Sequence, residues 1–412
     1  MARLFVGALA ALFGFSSVAQ DFRDAFTAVT PSNFDSGGAI SRQFHLNTES
    51  YLTMASIVRQ TDTRELTVAP SQALADQLIS YEGHETSFKD YVAQDRLIDG
   101  VVVLHNGEIV FEAYPNMHPW QRHFAWSITK VVTATALADL VEGGLVDMGA
   151  PVDNYVPALK DSAWAGIALQ DIANMASGID CLDSDGYQDK TTCVYTMEES
   201  LGITAPTGRT LDFIGHLQAM QIHGEAGTKN EYVSANTNVL MLVIEAVTDK
   251  PYALVLQELL WNPIGAEADA LMAISEAGYA YASGGLHARL RDVARFGQIY
   301  TQPELSGVLS HSTIKAIQSG GIARAPDAQK QLQETLGEDL PVRAGWQWDS
   351  IWADGAMFKA GYSGQGLYVD PARDLVVAWY GTGLDFDERS NAMLPVTRQI
   401  ARSGLFDGSG LE

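Results

Sequence analysis

The sequence predicts a mixed α/β (α+β) fold in which one antiparallel sheet is assembled from both ends of the chain and a mostly helical block is inserted between them. Three observations carry this. Asn106-Gly107 sits between the apolar runs Val101 to His105 and Glu108 to Tyr114, the strongest short-range signal for a hairpin. Leu367 to Val369 and Leu375 to Tyr380 are β-rich runs separated by Pro371 and Asp374, which reads as two adjacent antiparallel strands. Between these ends, from about 145 to 300, helical periodicity broken by Gly-rich turns dominates.

The elements follow in chain order. Residues 1–19 have the form of a secretory signal: Arg3 is the basic start, Leu4 to Phe15 the apolar segment, and Ser17-Val18-Ala19 the small-residue cleavage site. The apolar run is too short for a membrane span, no later run reaches 18 apolar residues, and no cysteine follows to carry a lipid. The expectation is a periplasmic or secreted protein without a stable membrane anchor. Residues 20–95 read as an N-terminal extension with one or two short helices, ahead of a main domain covering 96–412. A helix is expected from near Ser127 to about Val141, ended by Gly143-Gly144. Val239 to Thr248 and Asp292 to Tyr300 read as helices inside the block, and Asn391 to Ala401 as a final helix.

Composition narrows the function. At 412 residues, 47% hydrophobic and 18% charged, the chain can bury a large core. A formal charge of −24 repels nucleic acid and anionic membranes, so neither is an expected partner. Cys181 and Cys193 are the only cysteines, and in an exported protein an even pair suggests a disulfide closing Leu182 to Thr192. Two free buried thiols are the alternative. No cluster has zinc-type spacing, and no His-Glu-x-x-His occurs, so neither a metal nor another cofactor is expected.

Ser127 and Lys130 are the chemically informative pair. Three residues apart on a helix, they project from one face. A serine hydroxyl needs an adjacent base to act as a nucleophile, and a lysine held neutral can be that base. The spacing alone is weak, because Ser312 and Lys315 repeat it; those two read as part of a solvated surface helix. Ser127 differs by position. It follows the hairpin, opens a helix where free N–H groups favour negative charge, and has two further segments after it. The first, Gly227 to Asn236, offers Tyr232 as a proton relay and Asn236 as a contact to substrate or lysine, although Asn236 also suits a helix cap. The second is Lys359-Ala360-Gly361-Tyr362-Ser363-Gly364-Gln365. Its glycines let a substrate approach the backbone, and a backbone N–H there, with that of Ser127, can form an oxyanion hole. This segment also approaches the Gly-x-Ser-x-Gly of α/β-hydrolases but ends in Gln and is followed by strand-like sequence.

In this order and spacing the three segments resemble the β-lactamase-like serine hydrolases, a group that includes class C β-lactamases, D,D-peptidases, esterases and 6-aminohexanoate-dimer hydrolases. Ile167 to Ile179, Asn236 to Thr248, Ala282 to Gly297 and Gly364 to Pro371 also look like that group, and the likeness covers about residues 95–405. The spacing Tyr232-x-Ser234-x-Asn236 and the run Gly361 to Gln365 look closest to the dimer-hydrolase branch. The resemblance implies a β-lactamase/transpeptidase-like fold and an acyl-enzyme hydrolase acting on a small-molecule amide or ester. Ser127 is then the nucleophile, Lys130 its base and Tyr232 the relay. The backbone N–H groups of Ser127 and Tyr362 hold the oxyanion, and Asn236, Lys359 and Gly361 contact substrate. Tyr187, in the loop with the cysteines, is a candidate to close over it. One departure matters: Lys359-Ala360-Gly361 stands where a Lys-Thr-Gly triplet is common, which lowers the expectation of a true β-lactamase. β-Lactamase or D,D-peptidase activity, or a non-catalytic peptide- or peptidoglycan-binding role on the same scaffold, are the alternatives.

Overall fold

The structure is a computed structural model that describes residues 18–208, 211–324, 326–384 and 393–407. Most of the expected export signal, residues 1–17, lies outside the described residues. An eight-stranded antiparallel sheet dominates the architecture. Across it the strands run Glu108–Ala113, Ile98–His105, Leu375–Gly381, Gly366–Asp370, Met357–Ala360, Trp348–Ile351, Arg343–Gly345 and Ile322–Ala323. The N-terminal hairpin is thus paired directly with the C-terminal strands, with Val103 opposite Val377 and Val377 opposite Tyr368. Asn106 and Gly107 both take positive φ, 50° and 78°, as the two central positions of a type I′ turn require.

Period-two alternation fills both faces of this sheet. Val102, Leu104, Val376 and Ala378 point into the larger core, whereas Val101, Val103, Val377 and Trp379 point into the smaller one. The helix Met393–Ala401 covers the smaller core with Val396 and Ile400. The expected helix began at Asn391, which lies outside the described residues. On the other face the helix Leu290–Thr301 packs against the central strands. Gly297 makes this close approach possible, since a Cβ there would stand 2.5 Å from Cγ1 of Val376.

Behind the Leu290–Thr301 face lie two long buried helices, Ile128–Glu142 and Ser234–Thr248. The second begins five residues before the apolar run Val239 to Thr248, because its first turn is polar but buried. Threonines inside the first helix satisfy their hydroxyls at once. Thr129 Oγ1 donates to Trp126 O at 2.7 Å, and Thr133 Oγ1 donates to Ala282 O at 3.0 Å.

A second, four-stranded sheet was not anticipated. It orders Met54–Ile57, Ala270–Ala273, Leu286–Arg289 and Arg122–Phe124, taking one strand from the extension and two from the block expected to be mostly helical. Each strand is three or four residues long and most are buried, so runs such as Ala-Leu-Met-Ala carry no alternation to read. The extension itself supplies the helices Val18–Ala28, Gly38–Leu46, Gln72–Ala75 and Phe88–Gln94 and a small hairpin, Leu78–Tyr81 with His84–Ser87.

Candidate active site

The second sheet delivers Ser127. Phe124 pairs with His287, Ala125 N–H donates to Leu286 O at 2.8 Å, and the chain then turns sharply at Trp126. Trp126 holds φ at 48°, a left-handed conformation that costs a bulky residue about 1–3 kcal/mol unless its surroundings enforce it. They do: its indole N–H donates to His45 Nε2 at 2.8 Å, and its ring packs against Phe34, Phe44, Phe124 and Tyr362. His45 is buried, which holds its imidazole pKa well below the ordinary value and keeps Nε2 free to accept.

Ser127 occupies the N-cap of Ile128–Glu142 yet makes no side-chain capping bond. Its Oγ instead accepts from Lys130 Nζ at 3.0 Å. An ordinary capping serine would turn its oxygen to the N–H groups of the first turn. Lys130 is fully buried and also donates to Ser283 O at 2.8 Å. Burial lowers its pKa to about 7, with repulsion from Lys359 adding to the effect and Asp183, Asp349 and Glu198 opposing it. A large neutral fraction at neutral pH makes it competent to take the serine proton.

Tyr232 stands over both lysines, with the two Nζ atoms 4.9 Å (Lys130) and 4.8 Å (Lys359) from its ring centre. Its hydroxyl accepts from Lys359 Nζ at 2.9 Å. Burial, then the negative charge of Asp349 and Asp183, pushes the phenol well above its ordinary range, so it stays protonated and can act as a donor. Lys359 is buried on its strand and clamped by both oxygens of Asp349 at 2.8 Å. Burial lowers its pKa, and the Asp349 charge resists that shift.

Gly361 follows that strand. A Cβ there would stand 3.1 Å from Ala125 O and 2.6 Å from Gln365 Oε1, so the strand end can lie against the segment leading to Ser127 only as glycine. Tyr362 thereby packs its ring 5.2 Å from Trp126 and 5.3 Å from Tyr187. Cys181 and Cys193 are bridged, and the loop they close carries Asp183 and Tyr187. Asp183 accepts from Ser234 N–H at 2.7 Å, from Ser234 Oγ at 2.5 Å, and from the Tyr187 hydroxyl. This ties the loop to the start of the helix Ser234–Thr248.

Asn236 is placed differently from the other candidates. It is the third residue of its helix, whose N-cap is Val233, and is wholly buried with Nδ2 3.5 Å from Met175 Sδ. No hydrogen bond joins it to Ser127, Lys130 or Tyr232 among the described residues. Ser312 and Lys315 are exposed on the helix His311–Ser319. Cys181, Cys193 and His216 have ligand atoms within 4.8 Å of one another, but bridged sulfurs are not the thiolates a metal needs. Among the described residues no helix is long and apolar enough to cross a membrane.

Four residues at the site escaped the sequence reading: His45, Asp183, Glu198 and Asp349. Glu198 is buried and receives the Tyr281 hydroxyl hydrogen bond; burial raises its carboxyl to about 8. None of the four lies in a recognisable motif. Asp183, close after Cys181 in an acidic run, carried the nearest thing to a signal.

A β-lactamase family model matches residues 85–402. The 6-aminohexanoate-dimer hydrolase of Paenarthrobacter ureafaciens is 28% identical over 319 residues, covering 74% of this chain and 80% of that protein. The esterase/β-lactamase LipL of Mycobacterium tuberculosis is 35% identical over 96 residues, 23% of this chain and 22% of that protein. A putative 6-aminohexanoate-dimer hydrolase from Bacillus anthracis shares the fold with a TM-score of 0.77 at 22% identity, covering 92% of this chain and 96% of that one. The chain therefore belongs to the β-lactamase family, as a β-lactamase-fold hydrolase related to 6-aminohexanoate-dimer hydrolase.

Proposed function

We propose that this protein is an exported serine hydrolase that cleaves amide or ester bonds through an acyl-enzyme on Ser127. The observation that carries this is the contact of 3.0 Å between Lys130 Nζ and Ser127 Oγ, with the lysine lowered to about 7 by burial. Neutral Lys130 takes the hydroxyl proton as Ser127 attacks the carbonyl carbon. The carbonyl oxygen gathers negative charge beside the backbone N–H groups of Ser127 and Tyr362. Tyr232, kept protonated by burial and set against Lys130, passes a proton to the leaving nitrogen or oxygen, and Lys359 supports it from behind. Water then releases the acyl group by the reverse path. Tyr187, packed on Tyr362 and bonded to Asp183, is the residue proposed to close over the substrate.

The test is hydrolysis of p-nitrophenyl esters and of the linear 6-aminohexanoate dimer. Ser127→Ala is expected to lose about a thousandfold or more in kcat, and an acyl adduct on Ser127 to appear by mass spectrometry in the wild type. Full activity in Ser127→Ala would end this reading.

A further inference from the structure

Lys359 carries a charge that the acyl-transfer steps do not consume. An ammonium has three N–H donors. Here the protein engages them with Asp349 Oδ1 and Oδ2 at 2.8 Å, the Tyr232 hydroxyl at 2.9 Å and Ala360 O at 3.0 Å. Asp349 is itself fixed, since its Oδ2 accepts Ala360 N–H at 2.8 Å. Arg324 holds the same strand, donating to Asp349 O and, at 3.2 Å, to Ser350 Oγ. The exposures of the pair are unequal: the Lys359 side chain is 1% exposed and that of Asp349 21%. Of the two, only the carboxylate is reached by solvent to any extent.

The position of the pair gives this a consequence. Tyr232 delivers its proton to the leaving atom, and Lys359 Nζ touches Tyr232 OH. A group on the carbon next to the leaving atom therefore falls beside Lys359 and Asp349. We propose that Asp349 is a specificity-determining residue. By pairing with Lys359 it withdraws the cation that a leaving-group carboxylate would need, so the site accepts amides and esters whose leaving group carries no charge at that carbon and rejects those that carry a carboxylate there. Penicillins, cephalosporins and peptides ending in D-Ala-D-Ala belong to the rejected class, because each has a carboxylate on the carbon next to the scissile nitrogen. The linear 6-aminohexanoate dimer does not, since its carboxylate is several carbons away. The inference rests on the roles proposed for Ser127, Lys130 and Tyr232.

A matched pair of esters tests it: the hippuryl ester of 3-phenyllactic acid and the same ester with the acid converted to a primary carboxamide. The acyl group and the linkage are the same, and each rate is divided by that ester's own hydroxide-catalysed rate, since the carboxamide also makes the leaving alcohol more acidic. The wild type is expected to hydrolyse the carboxamide with a kcat/KM at least about tenfold above that of the acid. Asp349→Asn leaves Lys359 without its counter-charge, and the substrate carboxylate can supply it. The preference is then expected to shrink by about tenfold or invert, while Asp349→Glu keeps it. Equal rates on both esters in the wild type overturn the proposal, as does an Asp349→Asn enzyme that loses activity on both in proportion. Should Asp349→Asn not fold, as judged by circular dichroism, the wild-type ratio decides alone. Ser127→Ala, run on the same pair, separates the two readings. Activity that survives it removes the acyl-enzyme, whereas Ser127-dependent hydrolysis without charge preference removes only the role of Asp349.

Discussion

At Lys130 burial does two things at once. It lowers the amine to about 7, and it costs stability at every pH where the unfolded chain would hold the proton more tightly. The unfolded value is about 10.4. Between about 7 and that value the unfolded state binds more protons than the folded one, so the contribution of this group to stability rises with pH across the window. Two outcomes follow. The kcat/KM for a neutral ester is expected to rise with pH and level off above about 7, and Lys130→Arg, whose guanidinium stays charged, is expected to be inactive throughout. Lys130→Met is also expected to be inactive but more stable than the wild type by about 1–2 kcal/mol. The gain, read by urea denaturation, should be larger at pH 6 than at pH 9. The carbonyl of Ser283, left without its donor, trims it. Ser127, Lys130 and Tyr232 were legible in the sequence because their spacing encodes a shared helix face and an ordered set of segments. Asp349, Glu198 and His45 were not. A single acid or histidine has no local signature, and only the tertiary fold brings these three to the site.

Among the elements, the loop from Cys181 to Cys193 bears most directly on the site. Its disulfide spans a sequence separation of 12, and it carries Asp183 and Tyr187, which meet Ser234 and Tyr362. A crosslink over a loop of this size contributes roughly 3 kcal/mol by restricting the unfolded chain. The double variant Cys181→Ser/Cys193→Ser, or reductant added to the wild type, is expected to lower Tm by several degrees. It should also raise KM and lower kcat together, because Tyr187 is the proposed substrate contact while Asp183 of the same loop donates its N–H to Tyr232 O at 3.0 Å and its charge acts on Lys130. An unchanged KM would place Tyr187 outside the substrate contact. The same scale shows why parts of the fold were readable. Asn106-Gly107 dictates its turn through positive φ, and the strands it joins alternate between two cores. The second sheet was not readable, since strands of three or four residues, such as Ala-Leu-Met-Ala, are too short to show a period. Their pairing is fixed by partners from distant parts of the chain, Met54 with Ala273 and Arg122 with Arg289.

For the molecule as a whole, the question is where the working unit begins. The family match starts at residue 85, but the core does not. Phe34, Phe44 and Ile57 are buried in the larger core, and Met54–Ile57 is an edge strand of the second sheet. His45, on the helix Gly38–Leu46, receives the indole N–H of Trp126, the residue whose left-handed turn sets the position of Ser127. Thr382 on the far side holds the other nitrogen of that imidazole at 3.1 Å. The extension is thus expected to act as a strut under the site rather than an appendage. A chain lacking residues 20–84 should fail to give a folded, active protein. The finer test is His45→Ala. It leaves the Trp126 N–H buried without an acceptor, at a cost of about 1–3 kcal/mol, and loosens a backbone conformation that tryptophan does not adopt unaided. Ester hydrolysis should then show kcat down by about tenfold or more with KM little changed, because substrate contacts remain while the angle of Ser127 Oγ is lost. His45→Ala with lowered stability but an unchanged kcat would show the strut to be structural only, with the Trp126 turn held by Phe34, Phe124 and Thr129 instead.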